Sequence, residues 1–180
     1  MNKPLSTHLR DFILPFLMLI VLPLGINTAE LHWANRPFAA TSYAMLLAGS
    51  LIGIGGLVLL ITSIRFIIIY ANTTVMPWVP SESLVVRGPY RYLRNPMILG
   101  VVLVMIGEGF LFGSKGILIL ALIFFIGNTI YFIFSEEPKL EARFGEPYLA
   151  YKANVHRWWP RLQPWEPDIG ENSNKEFNHR

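Results

Sequence analysis

Two polar clusters interrupt an otherwise apolar chain, and their residue types suit the binding of a charged small molecule. RGPYRYLRNP, residues 87–96, supplies three guanidinium groups that can bind a carboxylate or a phosphate. SEEP, residues 135–138, supplies the carboxylates of Glu136 and Glu137, which suit an amine, a ribose or a sulfonium. Each cluster adjoins a long apolar segment. The sequence therefore predicts either membrane anchors or a binding site at the membrane surface.

Aromatic side chains near the clusters add groups that can stack on a ligand. Tyr90, Tyr92 and Trp158 suit a nucleobase or a cation, although Trp158 and Trp159 are favoured as anchors at the membrane interface. A zwitterionic nucleoside such as S-adenosylmethionine has partner groups for all of these side chains. A phospholipid headgroup matches several of the same residues, so the residues alone leave both ligands open.

The composition places the chain among membrane proteins. Of its 180 residues, 53% are hydrophobic and 15% are charged, whereas a soluble domain has about 25% charged residues. The chain has no cysteine, which excludes disulfides, thiolate nucleophiles and cysteine-ligated metals. We expect no metal site and no nucleic-acid partner. A single domain is predicted over residues 1–168, with a disordered polar tail over 169–180.

Four apolar segments are predicted to cross the membrane as helices. They are Phe12 to Ile26, Tyr43 to Tyr70, Met97 to Phe112 and Ile117 to Phe134. GSKG, residues 113–116, predicts a tight turn that joins the last two into a helical hairpin. Because a hairpin brings its open ends together, the two polar clusters should be neighbours at one membrane depth.

Basic residues predict the orientation of these helices. Lys and Arg concentrate before the first span, between the second and third spans, and after the fourth span. The other two loops contain only Arg36 and Lys115. By the positive-inside rule, both termini and both polar clusters are predicted to face the cytoplasm, with the chain in the inner, or cytoplasmic, membrane.

Three further features bear on packing and on sites. Gly49 and Gly53 form a G-x-x-x-G pair, for which packing within the chain is favoured over homodimerisation. Glu108 lies within the third span, where an acid is a site candidate by default, although we favour a position at the outer interface. After the fourth span, an amphipathic helix is predicted, with one apolar face formed by Leu140, Phe144, Tyr148 and Tyr151.

GPYRYLRNPMILG and EEPKLEARFGEPYLAYKANVHRWWP resemble the isoprenylcysteine carboxyl methyltransferase and phospholipid methyltransferase group of integral-membrane enzymes. The resemblance covers residues 83–160. It implies an all-α, polytopic membrane enzyme that binds S-adenosylmethionine at its cytoplasmic face. The cofactor-binding residues that it implies are Arg94, Asn95, Pro96, Glu136, Glu137, Tyr148, Tyr151 and Arg157. Tyr90, which suits stacking, and Gly100, within the first block, are further candidates for cofactor binding.

The chain departs from the family pattern at two positions. Asn95 stands where the family most often has histidine, and Ile98 stands where it often has tyrosine. Asn95 can donate and accept hydrogen bonds but cannot titrate.

Glu136 and Arg94 are the catalytic candidates. Glu136 would act as the base for an amine or hydroxyl acceptor, and Arg94 would steer an anionic one. Glu136 is favoured over Glu137 because it lies nearer the membrane, where a carboxylate needs a partner. Glu137 is equally well explained as an acid in the first turn of a helix.

The implied reaction is methyl transfer to a membrane-associated amphipathic acceptor, such as the carboxylate of a prenylated cysteine or a lipid. Two alternatives are a non-catalytic scaffold or lipid-binding protein that retains the methyltransferase frame, and a sterol-reductase-like enzyme with a nicotinamide cofactor.

Overall fold

A computed structural model describes residues 17–33, 42–70 and 84–166. Within these ranges the chain is helical and contains no strand. The α-helices of the described ranges, in chain order, are α1 Leu22–Trp33, α2 Tyr43–Tyr70, α3 Pro96–Leu111, α4 Lys115–Tyr131, α5 Glu137–Phe144 and α6 Glu146–Asn154. The first residues of the predicted first span and the predicted tail over 169–180 lie outside the described residues.

Within the described ranges, two helices are long and apolar enough to cross a membrane. One is α2, with 28 residues. The other is the continuous 30-residue helix Lys115–Phe144, in which α4 passes into α5 through the π-helical segment Phe132–Glu136. A shorter apolar helix, α3, occurs where the third span was predicted, and an apolar helix over Leu17–His32 overlaps the predicted first span. The membrane-helical class is therefore supported, and the number of four spans stays a prediction.

Helices α2 and α3 pack closely through glycines that face each other. A methyl group placed on Gly107 would lie 2.6 Å from the Gly53 Cα atom, and one placed on Gly49 would lie 2.8 Å from the Gly107 carbonyl oxygen. Backbones can approach this closely only where side chains are absent. The interpretation that Gly49 and Gly53 serve packing within the chain is confirmed. Homodimerisation stays an untested prediction.

The predicted hairpin between α3 and α4 is present. Gly113 takes a φ of 57°, and the buried Ser114 hydroxyl accepts a hydrogen bond from the Ile117 amide at 3.1 Å, which caps α4. A Glu30 carboxylate oxygen accepts a hydrogen bond from the Gly116 amide at 2.6 Å. This contact attaches α1 to the same turn.

The prediction of one amphipathic helix after the fourth span is wrong. The chain remains helical from α4 into α5, and then Gly145 breaks the helix with φ 57° and ψ −134°. This backbone conformation is open to glycine and costly for other residues. The apolar residues on both sides of the break still form one cluster, in which Tyr148, Tyr151 and Val155 are buried.

Candidate functional site

The buried Glu137 carboxylate lies at the centre of a cluster of three cationic side chains. Glu137 is the first residue of α5 and is 5% exposed. Its Oε1 atom lies 2.8 Å from Arg94 Nη1 and 2.6 Å from Arg157 Nη2. Its Oε2 atom lies 3.2 Å from Lys152 Nζ. The predicted contact between the two polar clusters is therefore present, and it joins Arg94 to Glu137.

These cations determine the protonation state of Glu137. The residue lies beyond the apolar segment that ends at Phe134. Burial alone would raise the pKa of this carboxyl, because a charged group loses solvation in the protein interior. The hydrogen bond from Arg157 and the positive charge of Arg94 act in the opposite direction and prevail. The pKa is therefore below its ordinary value, and Glu137 is ionised at neutral pH.

A layer of buried tyrosines supports this cluster. Arg94 Nη1 also donates a hydrogen bond to the Tyr148 hydroxyl at 3.4 Å, and the Tyr151 hydroxyl donates to the Tyr90 carbonyl at 2.6 Å. Burial raises the pKa of all three tyrosines, so their hydroxyls stay protonated. The tyrosines therefore position the backbone and Arg94 without adding charge.

The segment after α6 runs back along the first polar cluster. The Arg94 amide donates a hydrogen bond to the His156 carbonyl at 3.0 Å, and the Arg161 amide donates to the Tyr92 carbonyl at 2.9 Å. The Trp165 amide donates to the Arg91 carbonyl, also at 2.9 Å. These backbone bonds hold Arg157 and its neighbours beside residues 91–94.

Three buried donors of the site have no hydrogen-bond partner among the described residues. They are Arg94 Nε, Asn95 Nδ2 and Trp158 Nε1. The Trp158 ring packs on Phe125 of α4, with centroids 4.8 Å apart. Leaving a buried donor unpaired costs about 1–3 kcal/mol, so such groups call for a specific explanation. Two of these donors belong to the Arg-Asn-Pro block, and the third lies on the segment after α6.

Glu136 lies apart from the cation cluster. It ends the π-helical segment, and its neighbouring groups are Tyr131 and Lys139 on its own helix. Burial raises the pKa of Glu136 above its ordinary value, although the Tyr131 hydrogen bond opposes this. A π-helical turn inside an α-helix often accompanies a functional site. The carboxylate that meets Arg94 is therefore Glu137, whereas the sequence favoured Glu136 for a functional role.

Two other predicted cofactor residues lie in the first half of α3. Pro96 begins α3 and is buried. Gly100 faces α2, where a methyl group on it would lie 2.8 Å from the Leu60 amide nitrogen. Of the remaining predicted residues, Tyr148 and Arg157 contact the Arg94–Glu137 pair directly. Tyr151 joins Tyr90 to this layer through its hydroxyl, and Asn95 follows Arg94 in the chain.

Sequence reasoning missed Lys152 as a member of the cation cluster. Lys152 lies four residues after Tyr148 on α6, so both side chains share one face of that helix. That spacing is the only signal in the sequence, and it does not show that α6 folds back onto Glu137. The Trp158 donor was also missed, because the sequence favoured an interfacial anchor.

Comparison with known protein families identifies the family of this chain. A model of the family described as phospholipid methyltransferase matches residues 43–147, more than half of the chain. No curated protein and no solved structure matches the chain. The matched region runs from the start of α2 into α6 and includes both polar clusters. The chain belongs to the phospholipid methyltransferase family.

Proposed function

We propose that this membrane methyltransferase takes its methyl group from S-adenosylmethionine and transfers it to an amphipathic acceptor in the bilayer. The observation that carries the cofactor assignment is the group of buried, unpaired donors formed by Arg94 Nε, Asn95 Nδ2 and Trp158 Nε1. Three N–H donors suit the carboxylate of an amino acid, which is the anionic part of this cofactor.

The remaining charges of the cofactor also find partners. The cofactor carries an ammonium group and a sulfonium group, and Glu136 is a half-buried carboxylate that is not occupied by the cations around Glu137. Both Glu137 oxygens already bind cations. Glu137 is therefore a positioning residue, which holds Arg94 and Arg157 in place.

The bound cofactor would supply an electrophilic methyl group. The residues of this chain would align the cofactor with the acceptor, exclude water and accept any proton that the acceptor loses. Arg94 and Trp158 would orient the cofactor, and the segment after α6 would cover the site. A carboxylate acceptor needs no base, whereas an amine or hydroxyl acceptor would lose its proton to Glu136, whose raised pKa suits a base.

The acceptor in this proposal is a lipid-like molecule that enters from the bilayer. The family description, which names phospholipids, supports this class, and a prenylated cysteine carboxylate has the same amphipathic character. The proposed arrangement is a single domain over residues 1–168 with four spans. Both termini and the site face the cytoplasm.

Binding of the cofactor tests this proposal. We expect detergent-purified protein to bind S-adenosylmethionine saturably in a calorimetric titration. A nicotinamide cofactor should show no binding under the same conditions. Binding of the nicotinamide cofactor instead would favour the reductase alternative. A folded protein that binds neither would favour the non-catalytic scaffold.

Transfer of the methyl group is a separate test. Protein in bilayers that contain phosphatidylethanolamine or a prenylated cysteine is supplied with cofactor labelled in its methyl group. We expect the label to move to one lipid-soluble acceptor. Failure with every acceptor in this screen, despite cofactor binding, would contradict the proposed acceptor class.

A further inference from the structure

A groove between α2 and α3 lies away from the site described above. It has a volume of about 280 Å³. Helix α2 contributes Gly49, Ser50 and Gly53, and α3 contributes Val104 and Glu108. Gly49 and Gly53, which have no side chains, line the groove with backbone atoms.

Glu108 is the only acidic or basic side chain among the described residues that line this groove. Its Oε2 atom is buried and has no hydrogen-bond partner among the described residues. An ionised carboxylate in an apolar, membrane-embedded position is costly unless it is paired with a cation. The described residues that line the groove include no such cation, so the carboxylate is available to a cationic ligand.

The groove opens toward the outside of the helix pair. Ile54 and Leu57, which also line it, are 61% and 47% exposed. In a membrane-embedded helix, such apolar side chains face hydrocarbon. The groove is therefore accessible to a molecule that is dissolved in the bilayer.

The size and position of the groove narrow the ligand class. Its volume is near the lower end of the range for small-molecule sites, about 300–1,000 Å³, which suits one alkyl chain. Glu108 lies twelve residues after Pro96 on α3, a rise of about 18 Å along the helix axis. A ligand at Glu108 is therefore separate from the site at Arg94.

We propose that this groove binds a single-chain amphipathic amine from the bilayer, with its ammonium group on Glu108 and its alkyl chain along α2. The Ser50 hydroxyl is a second acceptor for the ammonium protons. This site does not depend on methyl transfer, because it uses none of the residues around Glu137.

The test measures binding of labelled dodecylammonium to the full-length protein in phosphatidylcholine nanodiscs, with empty nanodiscs as background. Labelled dodecanol, which has the same chain and no charge, serves as the uncharged probe. We expect saturable binding of the amine with one site per chain, and none of the alcohol. Glu108→Gln should weaken amine binding about tenfold or more, because it removes a charged hydrogen-bond partner.

Glu146→Gln, which changes an exposed carboxylate on α6, is the matched control and should bind like the wild type. Gly53→Ala adds a methyl group to the groove wall with an ordinary contact of 3.7 Å, and it should also weaken binding. It tests the groove even if Glu108→Gln does not fold. Equal amine binding by the wild type and either groove variant, or no saturable binding by the wild type, would overturn the proposal.

Discussion

At the residue scale, two adjacent glutamates have different surroundings. Glu137 is surrounded by Arg94, Lys152 and Arg157, whereas Glu136 lies beside groups of its own helix. The contact between Arg94 and the acidic pair could be predicted, because a hairpin must bring its ends together. Which glutamate makes the contact could not, because it depends on the rotation of the helix through its π-helical segment.

Substitution of the two glutamates should separate these roles. Glu137→Gln leaves three cations without their carboxylate, and we expect it to lower the free energy of unfolding by roughly 3 kcal/mol. Glu136→Gln should leave stability nearly unchanged and weaken S-adenosylmethionine binding roughly tenfold, as for a lost hydrogen bond to a charged group. Thermal unfolding in detergent and calorimetry measure the two effects. The reverse pattern would show that the roles are exchanged.

The lowered pKa of Glu137 also predicts how stability depends on pH. The ionised carboxylate is favoured in the folded state, so its contribution is fully present above the ordinary pKa of 4.5. This contribution is lost as the pH falls through the lowered folded-state pKa. The unfolding midpoint of the wild type should therefore decrease in acid, and that of Glu137→Gln should decrease less. Parallel curves for the two proteins would contradict the ionised cluster.

At the element scale, local sequence signals predicted one connection between helices and missed another. GSKG predicted the α3–α4 turn, because Ser114 caps α4 and Gly113 allows the reversal. The break at Gly145 was missed, because a regular apolar spacing continues across it. Lys152 was missed for the same reason, since only the break directs α6 back toward Glu137.

Because glycines make the contact between α2 and α3, alanine substitutions at different glycines should change stability by different amounts. Gly107→Ala would place a methyl group 2.6 Å from the Gly53 Cα atom, so the helices must separate. We expect a loss of about 1–3 kcal/mol of stability, as for other overpacked cores. Gly55→Ala is the matched control, since a methyl group there has no neighbour within 4 Å. Chemical or thermal unfolding compares the two, and equal stabilities would contradict the close packing.

At the scale of the whole molecule, the proposed orientation predicts which sites reagents can reach. The chain has no cysteine, so single-cysteine variants can be labelled without background. Lys115→Cys, at the start of α4, should react with a membrane-impermeant maleimide on intact cells. Ala142→Cys, on α5, should react only after the membrane is permeabilised. Labelling of both positions from outside, or the opposite pattern, would contradict a cytoplasmic site.

The buried donors around Arg94 form the proposed S-adenosylmethionine site, and Trp158→Phe probes that site with a small change in shape. This substitution keeps an aromatic ring against Phe125 and removes only a donor that has no partner in the described part of the protein. Trp159→Phe, at a neighbouring position that is 78% exposed, is the control.

The measurement is the S-adenosylmethionine dissociation constant of the wild type and both variants, by calorimetry on protein of verified stability. We predict that Trp158→Phe weakens binding by about tenfold, and that Trp159→Phe binds like the wild type. Unchanged affinity in Trp158→Phe, with both variants folded, would contradict the proposed cofactor site.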